Sequence, residues 1–285
     1  MDTLVNAFTV DVEDYFQVSG FERDIARSTW DSYESRVESN TERLLGLLAE
    51  HEVRGTFFIL GWVAERFPGL VERIRAQGHE LGSHSYWHRL IYEQSPAEFR
   101  EDLRRSRDVL QDIVGERVTS YRATSFSITK RSLWAAEILV EEGFEIDSSI
   151  YPVHHDRYGI PGAQRWLHRL PTPSGPIWEF PPSIARLGGF NLPVSGGGYF
   201  RLYPGYWTER CLRTVNDAHG EPFMFYIHPW EVDPQQPRLK VGARLSRWRH
   251  YVNLRSTEGK LRSLVQRFSF APMRDVVAHS SQVCH

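Results

Sequence analysis

The chain has 285 residues, of which 41% are hydrophobic and 25% charged, enough to bury one barrel-sized core or two smaller ones. Its 34 basic residues stand against 36 acidic ones, a formal net charge of −2, so no basic excess points to nucleic acid or an anionic membrane surface. No stretch approaches the roughly 20 apolar residues of a membrane helix, and two distant cysteines, Cys211 and Cys284, exclude a disulfide framework.

The opening residues lack the basic and long apolar regions of a signal peptide. This reads as a cytoplasmic protein, with a peripheral place at the inner membrane as the variant. Leu4 to Val10 is an apolar run with β-branched residues, a strand ending in Asp11-Val12-Glu13-Asp14. Asn40 or Thr41 is placed to cap a helix whose apolar face is Leu44, Leu45, Leu47 and Leu48. Gly55 to Leu60 is a short buried strand, Pro68 to Ala76 a helix stopped by Gly78, and His79 to His84 another strand. Ser95 caps a long helix with Pro96 at its first position. Val118 to Tyr121, a helix around Leu133 to Glu142 and Phe144 to Ile146 continue the alternation. Repeated strand–helix units predict an α/β fold, a distorted (β/α) barrel with the helices outside.

From about Tyr151 to Gly205 the pattern changes to a Pro- and Gly-rich stretch with few helix signals, read as an extended insertion containing a strand near Ile177 to Phe180. Gly196-Gly197-Gly198 is not followed by Lys and Ser/Thr, so it is a tight turn and not a phosphate loop. Helix–strand signals return at Thr208 to Ala218 and Pro222 to His228, and a last amphipathic helix runs near Thr257 to Phe268. No linker is visible. The chain reads as one domain, a barrel to about residue 234 with a C-terminal extension, about 235–285, packed on it.

His84-Ser85-Tyr86-Trp87-His88 places two imidazoles on one face if the segment is helical, a spacing that suits one metal ion. Ser85 stands where a zincin would carry Glu, which removes that metalloprotease reading. Three carboxylates in four residues at 11–14 repel one another, and a cation would offset the repulsion. His228 follows an apolar strand, where a general acid with a pKa near the operating pH would serve. Arg122 and Asp147 occupy equivalent strand-end places. In a barrel, all five clusters open onto the face where active sites form.

The ordered phrases Thr-Val-Asp-Val-Glu-Asp-Tyr-Phe (9–16), Gly-His-Glu-Leu-Gly-Ser-His (78–84) and His-Pro-Trp-Glu (228–231) resemble the NodB-homology polysaccharide deacetylases, carbohydrate esterase family 4, in their exosortase-associated exopolysaccharide-locus branch. The resemblance implies a barrel of about seven strands and a metal-dependent hydrolase that removes N-acetyl groups from amino sugars. It makes Asp11 the general base, His84 and His88 metal ligands, and Asp14 the acidic ligand with Glu13 its rival. It makes Arg122 the residue that orients Asp11, and Asp147 the partner of the catalytic His228. Thr124 stands where the family usually has Pro, and the backbone N–H near Ser125 falls at the family's oxyanion donor. The ligand set allows Zn first, with Co, Mn or Ni as alternatives.

Trp62, Tyr86, Trp87, Trp178, Tyr199 and Trp230 are available as stacking faces for sugar rings, and Trp87 and Trp230 neighbour the proposed active-site histidines. The expected partner is an acetylated polysaccharide or oligosaccharide, with no nucleic acid; oligomeric state is not legible. Two rival readings keep the barrel: a hydrolase of small cyclic amides, and a non-catalytic glycan-binding module.

Overall fold

The computed structural model describes residues 4–155 and 157–283; Cys284 lies outside them. Its frame is one curled sheet. In chain order the strands are β1 (Val5–Val12), β2 (Thr56–Ile59), β3 (Glu80–Ser83), β4 (Ser120–Tyr121), β5 (Ile146–Asp147), β6 (His168–Leu170), β7 (Ile177–Glu179), β8 (Ile184–Leu187), β9 (Phe190–Pro193), β10 (Met224–Ile227) and β11 (Ser269–Ala271). Seven of them run parallel in the spatial order β10, β1, β2, β3, β4, β5, β7. The expected barrel is therefore present in an open form, since the hydrogen-bonded path runs from β10 to β6 without returning on itself. The edge of β10 is covered by the 195–196 segment: Tyr226 N donates to Ser195 O at 2.9 Å, beside a Gly196–Tyr226 bridge. β8 and β9 form a separate hairpin.

Central strands are short and buried on both faces, which is why they read as apolar runs rather than alternations; all four residues of β2, Thr-Phe-Phe-Ile, are buried. Crossover helices lie outside the sheet: α1 (Val37–Glu50), α2 (Gly61–Arg66), α3 (Pro68–Ala76), α4 (Pro96–Val114) and α5 (Trp134–Glu141), followed by α6 (Gly197–Leu202), α7 (Gly205–His219), α8 (Arg244–Tyr251), α9 (Leu254–Arg267) and α10 (Met273–Val283). The α4 signal is realised in full: Glu98 N donates to Ser95 Oγ, Ser95 N donates to Glu98 Oε2 at 2.8 Å, and Gly115 closes the helix at φ 68°.

The α1 cap is different from the expectation. The helix begins at Val37, with Asn40 and Thr41 inside it, and its first amides are met from a distance. Arg36 N and Val37 N donate to Asp14 Oδ2 at 2.9 and 3.2 Å. The segment after 234 is part of the same frame. β11 pairs with the start of β1, Val5 opposite Ser269, and α10 begins where Met273 N donates to Thr56 Oγ1 and Arg274 N to Glu80 Oε2. Among the described residues no helix is long and apolar enough to cross a membrane.

Candidate active site at the carboxyl ends of the strands

Parallel strands deliver their last residues to one end of the sheet, and the polar clusters of the sequence meet there. Asp11 lies near the end of β1 and Glu13 just beyond it; His84 follows β3, Arg122 follows β4 and His228 follows β10. Asp11, Glu13, His84 and His228 line a cleft of about 430 Å³ that also takes in His88, Ser125, Trp230 and residues of α8, while Arg122 is fully buried and does not line it.

The two histidines meet without a helix. Ser85 and His88 adopt left-handed backbone conformations, φ 63° and 51°, uncommon for residues with a side chain. The turn is pinned from outside: Tyr86 N and Trp87 N donate to Asp102 of α4 at 2.7 and 3.1 Å, and Arg27 donates to the Trp87 and His88 carbonyls. The imidazole centroids end 5.6 Å apart.

Glu13 completes the cluster. Its carboxylate and the two imidazoles each offer an atom within 4.8 Å of the others, and all three side chains are buried. Glu13 Oε2 lies 2.6 Å from His88 Nε2, yet it is a buried oxygen without a hydrogen-bond donor among the described residues. His84 Nδ1 lies 2.8 Å from the Arg122 carbonyl, which can only accept, so the proton sits on Nδ1 and Nε2 keeps its lone pair. Burial lowers the His84 pKa to about 4 and keeps the ring neutral. Burial also works against a charged Glu13, but His88, His228 and His84 outweigh it and bring that pKa to about 2. A carboxylate and two imidazoles converging on one buried point fit a divalent ion of the zinc type.

Asp14, the expected acidic ligand, is turned away. Its carboxylate accepts from Ser35 Oγ at 2.6 Å and from the amides of Tyr15, Arg36 and Val37. Tying down the start of α1 uses its acceptor capacity, so Glu13, the rival, is the acid that joins the histidines.

Asp11 Oδ1 accepts from the fully buried Arg122 at 2.6 Å, and Arg122 also donates to Thr9 Oγ1 and Ser148 while lying over the Phe58 ring. The guanidinium is over-determined, and it fixes where Asp11 points. Across from it, His228 Nε2 stands 3.8 Å from both Asp11 Oδ2 and Glu13 Oε1.

His228 is not held by Asp147. Its Nδ1 lies 2.6 Å from Glu231 Oε1, and Arg201 Nε donates to Glu231 Oε2 at 2.6 Å. Burial alone would favour the neutral ring, but Glu231, Glu13 and Asp11 overcome it and raise the pKa to about 9. Asp147 instead accepts from Ser149 Oγ, and its strand pairs with β7 so that it stands opposite Glu179. Burial pushes both of those carboxyls up, and the pair retains a proton. The correction follows from topology: four strands separate β5 from β10, whereas Glu231 is three residues from His228 on the same short turn.

The aromatic expectations divide. Trp230 lines the cleft but is only 5% exposed. Its Nε1 donates to Glu13 Oε1 at 3.2 Å, and its ring is stacked between His228 and His250. It holds the site and offers no open face to a sugar. Trp87 packs against Trp30 and Tyr86 and does not line the cleft. Trp62 and Tyr86 are core residues, while Tyr199 does line the cleft. Ser125 lines it too, on a turn where Ser125 and Phe126 both have φ near 50°. Glu231 was legible as an acid three residues into a turn after His228; Arg201 and His250 carried no sequence signal.

Residues 21–140 match the family model described as Polysaccharide deacetylase, and residues 148–278 match a domain of unknown function, DUF3473. A peptidoglycan-N-acetylglucosamine deacetylase of Bacillus cereus is 34% identical over 98 residues, 34% of this chain and 36% of that protein. The matches to the first curated relatives span less than half of those proteins' lengths. Among solved structures, a Mycobacterium smegmatis protein of provisional polysaccharide deacetylase assignment superposes with a TM-score of 0.64 at 20% identity, covering 97% of this chain and 90% of that one. The allantoinase Puue superposes with a TM-score of 0.63 at 18% identity, covering 97% and 89%. These likenesses establish the shared fold. The similarity to polysaccharide deacetylases in sequence thus lies in residues 21–140, and the solved structures share the fold of nearly the whole chain.

Proposed function

We propose that the chain is a metal-dependent hydrolase that removes N-acetyl groups from the amino sugars of a polysaccharide. The observation that carries the reading is the buried Glu13–His84–His88 cluster facing Asp11 and His228 across one cleft. The ligand residues would be Glu13, His84 and His88, with Zn preferred and Co, Mn or Ni the alternatives. A divalent ion held there supplies Lewis acidity and an acidified water.

The chain's own groups supply the proton traffic. Asp11, oriented by Arg122, takes a proton from the water that attacks the acetamide carbon. The backbone N–H at Ser125 is the donor this reading assigns to the developing oxyanion, an interaction worth roughly 3–4 kcal/mol where one donor has been measured. The carbon–nitrogen bond then breaks. His228, protonated and held through Nδ1 by Glu231, gives its Nε2 proton to the departing amine, without which an amide leaves badly. Acetate and a free amino sugar result. A role in exopolysaccharide assembly rests on the motif phrases at 9–16, 78–84 and 228–231.

The test pairs metal content with turnover. Wild type should carry about one transition metal per chain and release acetate from N-acetylated oligosaccharides but not open a cyclic ureide. His84→Ala should lose both metal and activity. A wild type that stays metal-free after reconstitution overturns the reading.

A further inference from the structure

One stretch of the chain is electrically unlike the rest. Residues 234–257 contain Arg238, Lys240, Arg244, Arg247, Arg249 and Arg255 and no Asp or Glu, in a protein whose overall charge is slightly negative. Among the described residues, no carboxylate is paired with Arg244 or Arg249, and both are exposed. The stretch includes α8, and α8 is not on a remote surface: Leu245, Ser246, Trp248, Arg249 and His250 line the cleft that holds the metal-ligand cluster. Leu245, Trp248 and Arg249 are spaced so that they share one helix face.

Trp248 is 54% exposed and Leu245 56%, in contrast to Trp230 at 5%. An exposed indole alone means little. Here it sits beside an exposed guanidinium on the wall of the cleft, and Arg157, also exposed, lines the same cleft from a different part of the chain. The floor carries the carboxylates Asp11 and Glu13 and the rim carries cations. A neutral glycan has no use for such a rim. An indole face suits the apolar face of a pyranose ring, and a guanidinium suits a carboxylate or phosphate substituent through paired N–H donors.

We infer that the α8 wall is a subsite for an anionic sugar unit next to the residue being deacetylated, with Trp248 as the stacking platform and Arg249 and Arg157 as the anion-binding groups. The inference rests on the deacetylase reading and narrows its substrate class to acid-bearing N-acetylated glycans. An anionic membrane surface would also attract these cations, but the three α8 side chains face a cleft that leads to the candidate catalytic residues rather than a flat outer surface.

Binding is the primary readout, because it does not depend on turnover. Calorimetric titration compares two probes of equal length: an oligomer alternating glucuronate with N-acetylglucosamine, and a neutral N-acetylglucosamine oligomer. The acidic probe should bind about tenfold more tightly at low salt, the worth of one charge-assisted pair, and the difference should shrink as salt is raised. Arg249→Gln and Arg157→Gln should each reduce the preference to within about twofold, and Trp248→Ala should weaken both probes alike. Unchanged melting temperatures separate these effects from misfolding. Equal binding of the two probes, a preference that survives both arginine substitutions, or binding to vesicles of anionic lipid with no preference between the glycans would each overturn the inference. A preference for the acidic probe without acetate release would leave the subsite standing and remove the deacetylase reading.

Discussion

At the scale of single residues, the site turns on which of two adjacent acids faces inward. Glu13 and Asp14 are neighbours in the turn that follows β1, where Glu13 meets His84 and His88 while Asp14 is held by Ser35 and the amides at the start of α1. Glu13→Ala is expected to abolish metal binding with little loss of fold. Asp14→Ala is expected to keep the metal and cost about 1–3 kcal/mol, because it strands the amides of Arg36 and Val37. Metal analysis and denaturant unfolding of the two variants check this, and metal loss confined to Asp14→Ala would reverse the assignment.

His228 makes a second residue-scale prediction. Its pKa is raised to about 9, so the acid form should persist at neutral pH and activity should fall as pH rises through that value. The same shift contributes stability that is complete below about 6.5, the ordinary histidine value, and is lost as pH rises through about 9. A cation on Glu13 cancels that residue's share of the effect, leaving Glu231 as the main support. Glu231→Gln should therefore move the alkaline limb of the pH–rate profile to lower pH, while Asp147→Asn leaves it in place. A limb that follows Asp147 would restore the partner expected from the motifs.

At the scale of elements, the site depends on turns that close packing forces into uncommon backbone. Gly196 is the plainest case: a Cβ there would lie 2.0 Å from the Tyr226 carbonyl oxygen, beside the strand that presents His228. Gly196→Ala should cost about 3 kcal/mol or more and be visible as a lowered melting temperature, since backbone cannot retreat as a side chain can. A variant that melts with the wild type would mean that the 195–196 segment does not hug the sheet edge. The helices show what local sequence can carry. α4 announced itself through Ser95, Pro96 and its apolar face, all within one stretch of chain. α1 did not announce its start, because its cap is Asp14, more than twenty residues away.

At the scale of the whole molecule, the segment after 234 is woven into the barrel and the site. β11 extends the edge of β1, α10 is anchored to Thr56 and Glu80, and His250 stacks on Trp230 at 4.2 Å while its carbonyl accepts from Arg201. A chain ended at Pro234 should lose cooperative unfolding and the metal site together. Retention of a sharp transition at the wild-type temperature would show that the first 234 residues form a barrel on their own.

What was legible from the chain alone follows from period and order. Apolar runs alternating with amphipathic helices require a parallel sheet, and a parallel sheet sends every strand-end residue to one face; Asp11, His84, Arg122 and His228 were found on that logic. Tertiary structure alone decided the matters of direction and distance. Whether Glu13 or Asp14 points inward depends on where α1 starts. The partner of His228 depends on how far β5 lies from β10 in the sheet. The fate of each tryptophan depends on what packs against it, which sequence spacing does not encode. Trp230 is sealed by a histidine of α8, and the same helix leaves Trp248 open on the wall of the cleft.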